Sequence, residues 1–327
     1  MMKSSWRLAL FAYLLVGCTG KYIRPTTTEV VSDSPEAIQR GNYIVNNVSS
    51  CGACHTTREN ADLVHPTKTV FLGGGNILSE LGMKLFIPNI TPDAETGIGK
   101  WTDDQLMRAI RDGIRADGTL MFPIMPFGAY QHMSDADVRA VVAYLKTVPA
   151  APLPGGRKEH ELPFYMSMAV GMGIAHHQPV ASVPEPDRSN KVKYGEYLMW
   201  LGGCSDCHSL TSRGPREPTD ELWFAGADMP SDLDGVGKVW ARNLTPDPET
   251  GLGRYSTEEI IAALRAGKRL DGKLMAPPMS LFIPHIAGMT DEDLDALVSF
   301  FKSLKPVKKQ VPERELTPEG KKLVGEG

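Results

Sequence analysis

Two pentapeptides of one form, Cys51-Gly-Ala-Cys54-His55 and Cys204-Ser-Asp-Cys207-His208, use four of the chain's five cysteines. The motif constrains the fold, because one helical turn must present two thiols and an imidazole together. Three chemistries compete for a Cys-x-x-Cys pair: a disulfide, a zinc site and thioether attachment of a haem. The histidine directly after the second cysteine argues for the last. A c-type haem takes two thiols about a turn apart on its vinyl groups and a neighbouring imidazole on its iron. One such pentapeptide arises by accident; two that consume every cysteine but one do not. Two covalently bound haem c groups are therefore expected, attached through Cys51, Cys54, Cys204 and Cys207, with His55 and His208 on the irons.

The remaining cysteine, Cys18, closes the N-terminal stretch MMKSSWRLALFAYLLVGCTG. Lys3 and Arg7 accompany an apolar run too short for a comfortable membrane span, and the small residue Gly17 stands just ahead of Cys18. This is the layout of an export signal. Its ending resembles a bacterial lipoprotein signal over residues 1–17, which implies lipid attachment at Cys18, a tether over 18–33 and a periplasm-facing, membrane-anchored protein. Thr19 leaves the choice of inner or outer membrane open.

At 327 residues the chain has room for two domains of ordinary size. Removing Lys3 and Arg7 with the signal leaves 33 basic against 39 acidic residues, a net charge of −6. No basic run or basic excess supplies a phosphate footprint, so nucleic acid is not expected as a partner. Hydrophobic content of 42% and a mean hydropathy of −0.20 describe a soluble body behind the anchor.

That body is an internal duplication. NITPDAETGIGKW at 89–101 recurs as NLTPDPETGLGRY at 243–255, LMRAIRDGIRADGTLM at 106–121 as IIAALRAGKRLDGKLM at 260–275, and MSDADVRAVVAYLKTV at 133–148 as MTDEDLDALVSFFKSL at 289–304. The offset is 153 residues at the Cys-x-x-Cys-His motifs, 154 through the middle and 156 at the last segment. Each copy reads as helical. Ser34-Pro35 starts a helix toward Cys51, and one from about Ser189 runs to Cys204. Thr102 with Gln105 and Ser256 with Glu259 form capping boxes. Ser134 and Thr290 open last helices, whose apolar residues Val138, Val141, Val142 and Leu145 follow a helical spacing. Gly41 and Gly195 would let the first helix of each copy approach the last, with Tyr43, Tyr197, Tyr144 and Phe300 as core packing. The expected fold class is all-α, with cytochrome c-like domains at 34–148 and 189–306, a partly packed linker at 149–188 and a polar, frayed tail at 307–327.

Paired motifs, helices and the run Asn-Ile-Thr-Pro-Asp…Thr-Gly-Ile-Gly…Trp, then Asp-Gly…Pro-x-Met-Pro-Phe, resemble the class I cytochrome c fold in duplicate. More narrowly, they are similar to the cytochrome c subunits of bacterial membrane-bound alcohol, gluconate and nicotinate dehydrogenases. The resemblance covers most of 35–150 and 189–306; those subunits commonly carry three haem motifs, and this chain has two. Each copy offers two thioethers for the second axial position, Met121 and Met125 in MFPIMPF, Met275 and Met279 in MAPPMSL, and the duplication alone does not choose between registers. The family pattern places the ligand in Pro-x-Met, which implies Met125 and Met279. A thioether favours ferrous iron and raises the potential, as an electron carrier requires. Met133 and Met289 read as core.

Arg111 and Arg115 recur as Arg265 and Arg269, and Trp101 as Tyr255. They are either partners for haem propionates or an ordinary solvated face. In the linker, residues 164–174 are apolar enough to be expected to pack on one or both domains, and His176 and His177 read as surface. The function these features imply is single-electron transfer between a dehydrogenase or quinone-linked donor and an acceptor cytochrome or oxidase, with no catalytic residue. The alternative is a dihaem enzyme, a peroxidase or a thiosulfate-oxidising cytochrome, which needs an open iron position and acid–base groups above it.

Overall fold

The structure, a computed structural model, describes residues 26–58, 69–80, 83–168, 170, 180, 182–212 and 214–327. The signal segment, Cys18, His176 and His177 lie outside the described residues. In the first copy, α1 (Pro35–Tyr43) starts where the Ser34 hydroxyl accepts from the Ala37 N–H, with proline in its first turn. It passes directly into a π-helical turn, Ile44–Val48, and the chain breaks at Ser50 before α2 (Cys51–His55). With its π turn the first helix runs to Val48, three residues before Cys51. Its counterpart α6 (Lys191–Leu201) is α-helical throughout and leads to α7 (Cys204–His208). The change of offset from 154 at Gly41 and Gly195 to 153 at the motifs explains the contrast: the first copy has one extra residue here. A π turn is how a helix absorbs such an insertion.

Downstream, α3 (Asp103–Arg111), α4 (Phe127–Tyr130) and α5 (Asp135–Leu145) are matched by α8 (Thr257–Ala266), α9 (Met279–Ile286) and α10 (Asp291–Ser303). Both capping boxes form, and Ser134 and Thr290 cap as expected. Within each copy the first and last helices cross at van der Waals contact. A Cβ built on Gly41 falls 1.9 Å from the Ala140 carbonyl oxygen, and one on Gly195 falls 2.0 Å from that of Ala296. No other residue fits at either crossing.

The fold is less purely helical than expected. Antiparallel ladders join β1 (Thr57–Arg58) to β2 (Thr69–Val70), β3 (Ile77–Glu80) to β4 (Met83–Phe86), and β5 (Leu210–Thr211) to β6 (Gly214–Pro215). β7 (Ser231–Leu233) and β8 (Gly237–Val239) form a three-stranded sheet with β9 (Glu315–Leu316). β9 belongs to the tail, which does not fray. After it, α11 (Pro318–Leu323) packs Gly320 against Val236, and Val311 and Val324 are buried. Arg269 and Arg242 hydrogen-bond the Glu313 carboxylate and hold it down at about 2, fastening the tail to the second copy. The tether's described end is also tied down: the Val31 N–H donates to Asp103 at 2.8 Å and the Thr27 N–H to Asp104 at 3.1 Å. In the linker Phe164 and Tyr165 do not pack, being 79% and 65% exposed, and residues 169 and 171–174 of the expected packed stretch lie outside the described residues.

The two copies share one apolar core and meet in a reciprocal seam. Tyr43 donates to Asp293 of the second copy at 2.6 Å, and Tyr197 donates to Asp137 of the first at 2.6 Å. Each hydroxyl also accepts a backbone N–H at the start of the other copy's last helix, from Thr290 at 3.1 Å and Ser134 at 3.2 Å. These tyrosines thus do more than pack their own domains.

Candidate haem sites

The first haem motif folds as the single turn α2, which follows Ser50 in left-handed backbone, φ 51°. The second folds as α7 after Gly203, φ 61°. On one helical turn, cysteines three apart share a face and the histidine follows beside them. The Nδ1 atom of His55 lies 2.8 Å from the Pro88 carbonyl oxygen, and that of His208 lies 2.7 Å from the Arg242 carbonyl oxygen. A carbonyl only accepts, so Nδ1 carries the proton in both rings and Nε2 is left as the lone-pair donor. Burial lowers the pKa of both imidazoles, against the opposing pull of those carbonyls, and keeps the rings neutral. A metal-ligating histidine needs this tautomer and this second hydrogen bond.

The carbonyls are themselves held by the duplicated Asn-x-Thr motif. Asn89, next to Pro88, donates through Nδ2 to Thr96 Oγ1 at 3.1 Å and to the Ala151 carbonyl at 2.7 Å, while its Oδ1 accepts the Thr91 N–H at 2.8 Å. Asn243, next to Arg242, repeats this with Thr250 at 3.0 Å, Val307 at 2.8 Å and Thr245 at 2.9 Å. Both asparagines are almost completely buried. The motif that carries the family resemblance thus braces the loop that orients the histidine and closes it onto the segment after the last helix.

The four motif cysteines are thiols rather than disulfides. Burial pushes Cys51 and Cys204 up to about 12. A redox-active or zinc-binding pair wants a stabilised thiolate, and here the environment opposes one. Among the described residues no three His, Cys, Asp or Glu side chains converge as a chelate for a bare ion. Two cysteines beside a neutral, oriented imidazole fit thioether attachment of a haem with nitrogen ligation.

Met125 lies half-buried against the core in the loop before α4, and Met279 is the first residue of α9. Met121 and Met275 lie four residues earlier, each directly after an isolated bridge, Ile114 to Leu120 and Lys268 to Leu274. Their N–H groups donate to the Gly113 and Gly267 carbonyls at 2.7 and 2.9 Å, closing matching turns. The arginines are braces within the chain. Arg111 pairs with Asp135 at 2.5 Å and Arg265 with Asp291 at 2.6 Å, joining the middle helix of each copy to the start of its last. Arg115 donates to Thr119 and to the Leu120 carbonyl, and Arg269 pairs with Glu313 and Asp271.

Residues 36–145 match the family model described as cytochrome c oxidase, cbb3-type, subunit III, and residues 192–305 match that of cytochrome c. The chain is 30% identical to the fructose dehydrogenase cytochrome subunit of Gluconobacter japonicus, over 90% of this chain and 58% of that one. It is 32% identical to the cytochrome c subunit of a quinone alcohol dehydrogenase of Gluconobacter oxydans, over 98% and 63%. A diheme cytochrome c-type protein of Cereibacter sphaeroides is 26% identical over 94% of this chain and 100% of its own length. The chain therefore spans about three fifths of the dehydrogenase subunits it matches and the whole of the dihaem protein.

Proposed function

This chain is a tandem pair of cytochrome c-type domains carrying two covalently bound haem c groups, and from that premise we propose that it passes single electrons between a dehydrogenase or quinone-linked donor and a terminal acceptor. One observation carries the reading: His55, buried, and His208, half-buried, are both neutral and pinned at Nδ1 to a backbone carbonyl. A carrier works best when its ligands change little between oxidation states, and a ring fixed by a backbone carbonyl is a ligand of that kind. The haem supplies the one-electron chemistry when bound, and the residues of this chain attach, orient and bury it. Met125 and Met279 complete the ligand sets in this proposal. A donor dehydrogenase is favoured by the relatives, which are named as cytochrome subunits of fructose and alcohol dehydrogenases.

Reductive titration of the purified protein is the test. Each haem should take up one electron with low-spin visible spectra throughout, and neither peroxide nor thiosulfate should be consumed. Turnover of either would replace the carrier with a dihaem enzyme.

The protein is proposed to face the periplasm from a lipid anchor on Cys18. Each buried acyl methylene adds about 0.8 kcal/mol of membrane affinity, so removal of the acylated cysteine has a large effect. Cys18→Ser should move the cytochrome from the membrane fraction to the soluble fraction. Quantitative sedimentation of that variant with membranes in high salt would place the anchor elsewhere.

A further inference from the structure

The seam between the two copies is made twice, by equivalent residues, and both times it grips the segment that leads into a haem motif. Tyr43 and Tyr197 are equivalent at the 154-residue offset, and each reaches an aspartate in the first turn of the other copy's last helix, Asp293 and Asp137. Asn46 and Trp200 stand five and four residues ahead of Cys51 and Cys204, and each is touched by a histidine of the opposite copy. The Nδ1 of His285 lies 2.6 Å from the Asn46 carbonyl oxygen, and the His132 ring stacks on Trp200 with centroids 4.1 Å apart and planes 12° apart. Gly288 leaves room for Asn47, whose Oδ1 would lie 2.1 Å from a Cβ there.

A contact made once lets two bodies pivot about it. The same contact made twice about a pseudo-two-fold axis removes that freedom, as in an isologous dimer. Partly buried tyrosine hydroxyls bonded to carboxylates are directional and strong, which adds a defined geometry to the shared apolar core.

We propose that Tyr43 and Tyr197, through their crossed bonds to Asp293 and Asp137, are positioning residues that set the distance between the two haem-attachment turns and make the two haems one fixed pair. The carrier reading gives this arrangement its purpose, an internal electron exchange at constant separation; the geometric claim rests on the two-haem assignment alone.

Pulsed dipolar EPR between the two ferric irons of the full chain tests it. The wild type should give one narrow distance distribution. Tyr43→Phe combined with Tyr197→Phe keeps both rings, so it should fold and retain both haems, yet the distribution should broaden or shift. Asp293→Asn preserves an acceptor for the Tyr43 hydroxyl and should stay close to the wild type; Asp137 is left unchanged because it also pairs with Arg40 at 2.7 Å. A narrow, unmoved distribution in the double phenylalanine variant with two haems per chain would overturn the assignment, and so would a broad distribution in the wild type. Peroxide or thiosulfate turnover defeats the carrier reading by a separate measurement and leaves the distance unaffected.

Discussion

Replacing Cys204 and Cys207 together by alanine is expected to leave one covalent haem per chain where the wild type has two. A pyridine haemochrome assay should report half the c-type haem, and denatured protein on a gel should still stain for haem through Cys51 and Cys54. The expectation follows from how each site is built. His55 is oriented by the Pro88 carbonyl, which is braced by Asn89 through Thr96 and Ala151, all within the first copy. His208 has its own set in Arg242, Asn243, Thr250 and Val307. Losing the thiols of one motif removes none of the other's parts. The reverse variant, with Cys51 and Cys54 replaced, should leave the second haem. Two haems retained in either double variant would mean that attachment does not run through these cysteines.

Much of this was legible because residue type and function coincide. Cys-x-x-Cys-His needs its side chains, and the capping pairs Thr102 with Gln105 and Ser256 with Glu259 act through theirs. The acceptors for the two histidines were hidden for the opposite reason. They are backbone oxygens, carried by a proline in one copy and an arginine in the other, so residue identity does not mark them. The seam was hidden because a tyrosine reads the same whether its hydroxyl is satisfied within its own domain or in the next. The short ladders escaped because two-residue strands are too brief to show alternation. In the tail, β9 pairs by backbone bonds and the buried apolar residues are spaced far apart, so polarity masked a docked segment. One signal was available: the slip from 154 to 153 between the tyrosines and the motifs marks the extra residue that the π turn absorbs.

The second large effect is expected at the thioethers. If Met125 and Met279 complete the coordination, the reduced wild type should be low-spin at both haems and bind carbon monoxide poorly. Met125→Ala should open one iron to carbon monoxide and lower its potential, because the soft ligand that favours the ferrous state is gone. Axial ligands set haem potentials over a range of about 0.8 V, so a fall of roughly a few tenths of a volt is the scale to look for. Met279→Ala should do the same to the other haem. Met121 and Met275 supply the control that the duplication provides. Their N–H groups close turns onto Gly113 and Gly267, and alanine keeps that backbone bond, so Met121→Ala and Met275→Ala should change packing and leave both irons closed. A carbon monoxide response from the Met121 and Met275 variants would move the ligands by one register and keep the carrier. A wild type that binds carbon monoxide at once would mean that a position is open before any mutation, the condition an enzyme requires and a carrier avoids.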